Sequence, residues 1–127
     1  MIINHIALYV NDLEKMKKFY EEFFNGKSNE MYHNKNTGLK TYFLSFENGA
    51  RLEIMTRPDM TENQKELTKL GYIHLAFSVE SKEKVDTLTD KLKNAGYKVI
   101  SEPRTTGDGY YESCILDPEN NQIEIVE

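Results

Sequence analysis

The chain has 127 residues, enough for one domain with a real core, and its 21 acidic against 16 basic residues give a formal charge of -5. With no basic block or lysine stripe, that balance excludes nucleic acid and anionic membrane as expected partners and leaves a small molecule or another protein. The single Cys114 cannot form an internal disulfide, and with no long apolar run or signal-peptide pattern the expected location is the cytoplasm.

Residues 3 to 10, "INHIALYV", alternate as a strand does, with Ile6, Leu8 and Val10 on one face and His5, Ala7 and Tyr9 on the other. An amphipathic helix follows, with Asn11 as the expected cap, Glu14 three residues later, a stripe of Leu13, Met16, Tyr20, Phe23 and Phe24, and Gly26 as terminator. The stretch "GKSNEMYHNKNTGLK" holds further strand and loop, with His33 as a surface histidine. Residues 42 to 55, "YFLSFENGARLEIM", read as a hairpin turning at "ENGA". Residues 61 to 71 read as a linking helix, with Thr61 as cap, Gln64 completing a capping box and Gly71 ending it.

The pattern then repeats. "YIHLAFSV" (72 to 79) has histidine at the same step as the first strand; Ser81 caps a second helix with a stripe of Val85, Leu88, Leu92 and Ala95, ended by Gly96. "SEPRTTGDGYY" supplies another strand and loop, and "ESCILDPENNQIEIV" closes as a second hairpin, with Cys114 a small apolar residue in its strand. His5 and Glu53 are 48 positions apart, and His74 and Glu124 are 50 apart. The expected fold is therefore α+β, a tandem pair of βαβββ modules over residues 1–60 and 72–127 within one domain.

In all four of the strands that carry these residues, the apolar set is expected to pack on the helices. That leaves His5, Glu53, His74 and Glu124 together on the other face. A lone histidine on a sheet face is ordinarily a solvated one, but four polar groups at equivalent steps are not an ordinary occurrence. Two imidazoles and two carboxylates form a competent donor set for a divalent metal, which would also offset the repulsion between the carboxylates.

The features "HIALYV" followed by a "DL...FY" helix, "RLEI", "HLAFSV" and "DPENNQIEIVE" resemble glyoxalase I and the wider vicinal oxygen chelate superfamily across the full length. The resemblance implies a curled mixed sheet forming a cup, a homodimer, and one divalent ion (nickel, cobalt or zinc) held by His5, Glu53, His74 and Glu124. It further implies a metal-dependent lyase that converts the hemithioacetal of a 2-oxoaldehyde and a thiol into a 2-hydroxyacyl thioester through an enediolate. Glu124 is then the base and Glu53 its acid/base partner. Several glutathione-using relatives have arginine where this chain has Tyr9 and asparagine near where it has Arg57. Tyr9 and Arg57 are the candidate substrate-binding residues, with Arg57 or Arg51 as the grip on an anionic group; the departures speak against glutathione and leave the thiol carrier open. The alternatives are a superfamily epimerase acting on an acyl thioester and a non-catalytic drug-binding protein of the bleomycin-resistance kind. A ring-cleaving dioxygenase, with one carboxylate in its usual set, fits Glu53 less well.

Overall fold

The computed structural model describes residues 1–62 and 70–127. They fall into two compact units, Met1–Asn63 and Gln64–Glu127. The expected linking helix over 61–71 falls mainly on residues 63–69, outside the described residues.

The first unit runs β1 (His5–Tyr9), α1 (Leu13–Phe24), β2 (Lys27–Ser28), β3 (Tyr32–His33), β4 (Lys40–Ser45) and β5 (Arg51–Thr56). Its sheet order is β1-β5-β4-β2, with β3 also paired to β4. Only β1 and β5 are parallel; the remaining pairs are antiparallel. The second unit runs β6 (His74–Ser78), α2 (Lys82–Asn94), β7 (Val99–Thr105), β8 (Tyr111–Leu116) and β9 (Gln122–Val126), in the order β6-β9-β8-β7. Here β6 and β9 form the parallel pair. Each unit is thus a βαβββ-like module whose first strand returns beside its last, which explains why the sequence motifs "HIALYV" and "RLEI" sit side by side.

Local chemistry sets the helix ends. Asp12, rather than the expected Asn11, caps α1: its backbone is extended (φ -109°) and its carboxylate accepts from the Lys15 N–H at 2.9 Å. The cap one residue later puts Lys15 where a capping box would need Glu or Gln, so Glu14 does not close one. At the other end Asn25 takes the left-handed conformation (φ 55°), and the Gly26 N–H reaches the Tyr20 carbonyl at 3.0 Å. Gly26 sits in close quarters: a Cβ there would stand 3.1 Å from that carbonyl oxygen and 3.3 Å from the Phe46 ring. Ser81 caps α2 as expected, accepting from Lys84 N–H at 3.3 Å, and Gly96 follows the helix with φ +92°.

All five stripe residues of α1 are buried, together with Phe19, against Leu44, Leu52 and Ile54 of the sheet. Rings carry much of this core, with Phe19 and Tyr20 edge to face at 5.2 Å. In the second unit Val85 and Leu92 meet Ile115, Ile123 and Ile125, all fully buried. Burying a leucine of this kind stabilises by about 1.5–3 kcal/mol. The stripe of α2 is corrected in two places: Ala95 is exposed as the C-cap, and Thr89 is buried in the stripe, sharing a 2.6 Å hydrogen bond with Ser113. Each helix packs on the other strands of its sheet, α1 on β5, β4 and β2 and α2 on β8, β7 and β9, so β1 and β6 are less covered than expected, with Ile6 on β1 and Ile73 just before β6 exposed. No helix of the described residues is long and apolar enough to cross a membrane.

Candidate metal centre

Strand register brings His5 and Glu53 together. In the parallel pair His5 lies opposite Arg51 and Ala7 opposite Glu53, so histidine and glutamate share one face as diagonal neighbours. His5 Nε2 stands 3.6 Å from Glu53 Oε2. Buried Thr41 on β4 donates its hydroxyl to Glu53 Oε1 at 3.0 Å, fixing the carboxylate from behind. Around the imidazole, Asn4 Oδ1 lies 2.9 Å from His5 Nδ1 and 2.8 Å from Arg51 Nη2. The Phe43 ring stands edge-on to His5 (5.4 Å, 85°) and carries the Arg51 guanidinium at 4.4 Å.

The second unit repeats the pair. His74 lies opposite Gln122, Ala76 opposite Glu124, and His74 Nε2 stands 3.5 Å from Glu124 Oε2. The side chains are alike in exposure, 40% and 16% for His5 and Glu53 against 37% and 19% for His74 and Glu124. The imidazoles reach solvent and the carboxylates lie deeper, an arrangement open to an entering cation.

Both separations are too long for a direct hydrogen bond. They exceed the usual ~2.7–3.2 Å N–H···O range. Among the described residues, no group of three or more His, Cys, Asp or Glu is arranged to hold a metal ion. Each unit by itself contributes one imidazole–carboxylate pair.

An open cavity of about 370 Å³ in the second unit is lined by His74, Asp108, Tyr110, Glu112, Glu124 and Val126. Glu112, Asp108 and Tyr110 were not singled out from the sequence. Glu112 holds the step on β8 that Thr41 holds on β4, two residues before the partner of the site glutamate. The available signal was the alternation of "ESCIL", which puts Glu112 and Cys114 on the Glu124 face. Burial, and then the charge of Glu124 and a hydrogen bond to it, push the Glu112 carboxyl above its ordinary range. Cys114, directly opposite Glu124, is pushed up to about 11, by burial first and then by the two glutamates. The loop "TTGDGYY" is a closed connection, with the Thr106 N–H on the Tyr110 carbonyl at 2.8 Å and the Gly109 N–H on the Thr106 carbonyl at 3.0 Å.

Tyr9 ends β1 on the His5 face and is half exposed. Arg57, just beyond β5, grips Asp59 through both Nε and Nη2, the latter at 2.8 Å, and also hydrogen-bonds Tyr9. Asp59 first, then Tyr9, hold the guanidinium above its ordinary value, and Arg57 in turn holds the Asp59 carboxyl below the usual range.

The sequence matches the Glyoxalase/Bleomycin resistance protein/Dioxygenase superfamily over residues 2–125. The chain belongs to this superfamily. It is 31% identical to the uncharacterized protein YqjT of Bacillus subtilis, over 98% of this chain and 97% of that one. It is 33% identical to the fosfomycin resistance protein FosX of Listeria monocytogenes, over 84% of this chain and 75% of that one. The trypanothione-dependent glyoxalase I of Leishmania major has the same fold (TM-score 0.80, 21% identity, 100% of this chain and 86% of that one). The vicinal oxygen chelate fold expected from the repeated motifs is thereby established, in a superfamily that acts on small molecules and typically binds a divalent metal.

Proposed function

We propose that this superfamily member is a metal-dependent lyase of glyoxalase I type, isomerising the hemithioacetal of a 2-oxoaldehyde and a thiol to a 2-hydroxyacyl thioester. The observation that carries the reading is the duplicated imidazole–carboxylate pair, 3.6 Å apart in one unit and 3.5 Å in the other. His5, Glu53, His74 and Glu124 are the proposed ligands of one nickel, cobalt or zinc ion. The two halves of the site come from one chain or are exchanged between the copies of a homodimer.

The bound ion would supply Lewis acidity toward two neighbouring substrate oxygens. The protein's part is proton transfer and positioning. Glu124 borders the open cavity and is the proposed base, taking the proton from the carbon that bears the thiol. Glu53, held by Thr41, is the proposed partner that returns a proton to the adjacent carbon. The reaction is an isomerisation and needs no further reactant. Tyr9 and Arg57 are the proposed grip on the thiol's remote end, where an anionic group would compete with Asp59 for the guanidinium. A glyoxalase assay of the nickel-, cobalt- and zinc-loaded protein, with methylglyoxal and a panel of thiols, tests the reading. Thioester formation dependent on metal and thiol supports it; none with any combination overturns it.

A second reading is favoured by the 33% identity to a fosfomycin resistance protein. On that reading the same donors serve a protein that acts on or sequesters fosfomycin. Metal-dependent loss of fosfomycin in the same preparations, without thioester formation, would select it.

A further inference from the structure

Arg51 decides a question of proton placement at His5. A guanidinium only donates hydrogen bonds, so the Asn4 side-chain atom 2.8 Å from Arg51 Nη2 has to be the carbonyl oxygen. An amide nitrogen there would set donor against donor. The same oxygen lies 2.9 Å from His5 Nδ1, so Nδ1 carries the hydrogen, and in the neutral ring the lone pair sits on Nε2, the nitrogen facing Glu53. Arg51 is itself held, its guanidinium over the Phe43 ring and its backbone N–H on the Asn4 backbone carbonyl at 3.1 Å. Phe43 also abuts the imidazole edge-on, restricting its rotation.

The second half lacks this arrangement. The counterparts of Asn4, Arg51 and Phe43 are Ile73, Gln122 and Cys114, by position beside His74 and by strand register. Isoleucine offers no side-chain acceptor, so among the described residues nothing equivalent fixes the His74 imidazole. The two histidines, alike in their distance to a glutamate, differ in how each is oriented.

We propose that Asn4 and Arg51 are positioning residues that lock His5 in its Nδ1–H tautomer, presenting the Nε2 lone pair to a cation shared with Glu53. The value of this lock to metal binding rests on the proposed metal-dependent function; the tautomer itself does not. Histidine-selective ¹⁵N labelling of the metal-free protein, with two-bond ¹H–¹⁵N spectra in alkaline solution, reads the tautomer of each imidazole directly. His5 is expected as Nδ1–H. Asn4→Ala is expected to return it to the Nε2–H form usual for an exposed histidine, without changing His33 or His74, and Arg51→Ala to mix the two forms. Asn4→Asp, which keeps an acceptor, is expected to preserve Nδ1–H. Zinc titration of the same proteins is expected to show affinity lower by about 10–100-fold in Asn4→Ala and recovered in Asn4→Asp. A wild-type His5 in the Nε2–H form, or an Asn4→Ala spectrum unchanged from wild type, overturns the proposal. The expected tautomers in a protein that binds no zinc would support the lock and overturn the metal-dependent reading instead.

Discussion

Ala76 lies directly opposite Glu124 in the parallel β6–β9 pair, as Ala7 lies opposite Glu53 in β1–β5. A methyl group at these two positions leaves space above it for the histidine two residues earlier to lean toward the glutamate. Both alanines are exposed, so enlarging them does not disturb the core. Ala7→Leu and Ala76→Leu are each expected to weaken divalent-metal binding at least about tenfold with little change in Tm. Calorimetric metal titration beside a thermal melt checks this.

Replacing the proposed base separates chemistry from metal retention. Glu124→Gln keeps shape and an oxygen donor but removes the proton acceptor. Turnover is expected to fall about 10²–10⁴-fold while much of the metal remains. A fully metal-supplemented Glu124→Gln protein as active as its parent would remove Glu124 from that role.

Inside the second unit, Thr89 donates to the Val85 carbonyl at 2.7 Å and shares its hydroxyl with buried Ser113 at 2.6 Å. Thr89→Val strips Ser113 of a partner in a dry environment and is expected to cost about 1–3 kcal/mol in urea unfolding. Combining it with Ser113→Ala removes both polar ends and is expected to recover most of that loss. A double variant whose loss equals the sum of the single ones would show that the pair is not coupled.

Cys114 provides a pH dependence. Its pKa is raised to about 11, chiefly by burial, so the folded chain holds the thiol proton more tightly than the unfolded chain does. Between about 8.5, the ordinary thiol value, and about 11, the native state binds more protons, and stability contributed by this group falls as pH rises through that window. At pH 8 the native thiol is expected to react with iodoacetamide roughly 100-fold more slowly than in urea-unfolded protein, because only the thiolate attacks. Equal rates in the two states would contradict the burial argument.

The larger design was legible because repetition amplifies weak signals. His5 alone is an ordinary strand residue, but its recurrence as His74, with Glu53 and Glu124 at nearly matched spacing, identified strands that the structure pairs. The α1 stripe was readable because 3.6-residue periodicity forces Met16, Tyr20 and Phe23 onto one face. Finer choices depended on contacts that one-dimensional patterns do not carry. Asn11 and Asp12 are both good caps, and only backbone geometry selects Asp12. Alternation put Ile6 and Ile73 with the apolar set expected to meet the helices, yet each helix packs on the other strands of its sheet and leaves both exposed. Glu112 was overlooked because its proximity to Glu124 depends on the β8–β9 register, which sets Cys114 rather than Glu112 opposite that residue.

The most direct test of the proposed metal centre is a count of bound cations. Chelator-stripped protein titrated with zinc, followed by X-ray absorption at the zinc edge, is predicted to take up one ion per chain with two imidazoles and carboxylate oxygens around it. Substitution of His5 or His74 should abolish that single site. Two weak sites per chain, each sensitive to only one histidine, or no uptake at all, would contradict a centre built from both halves.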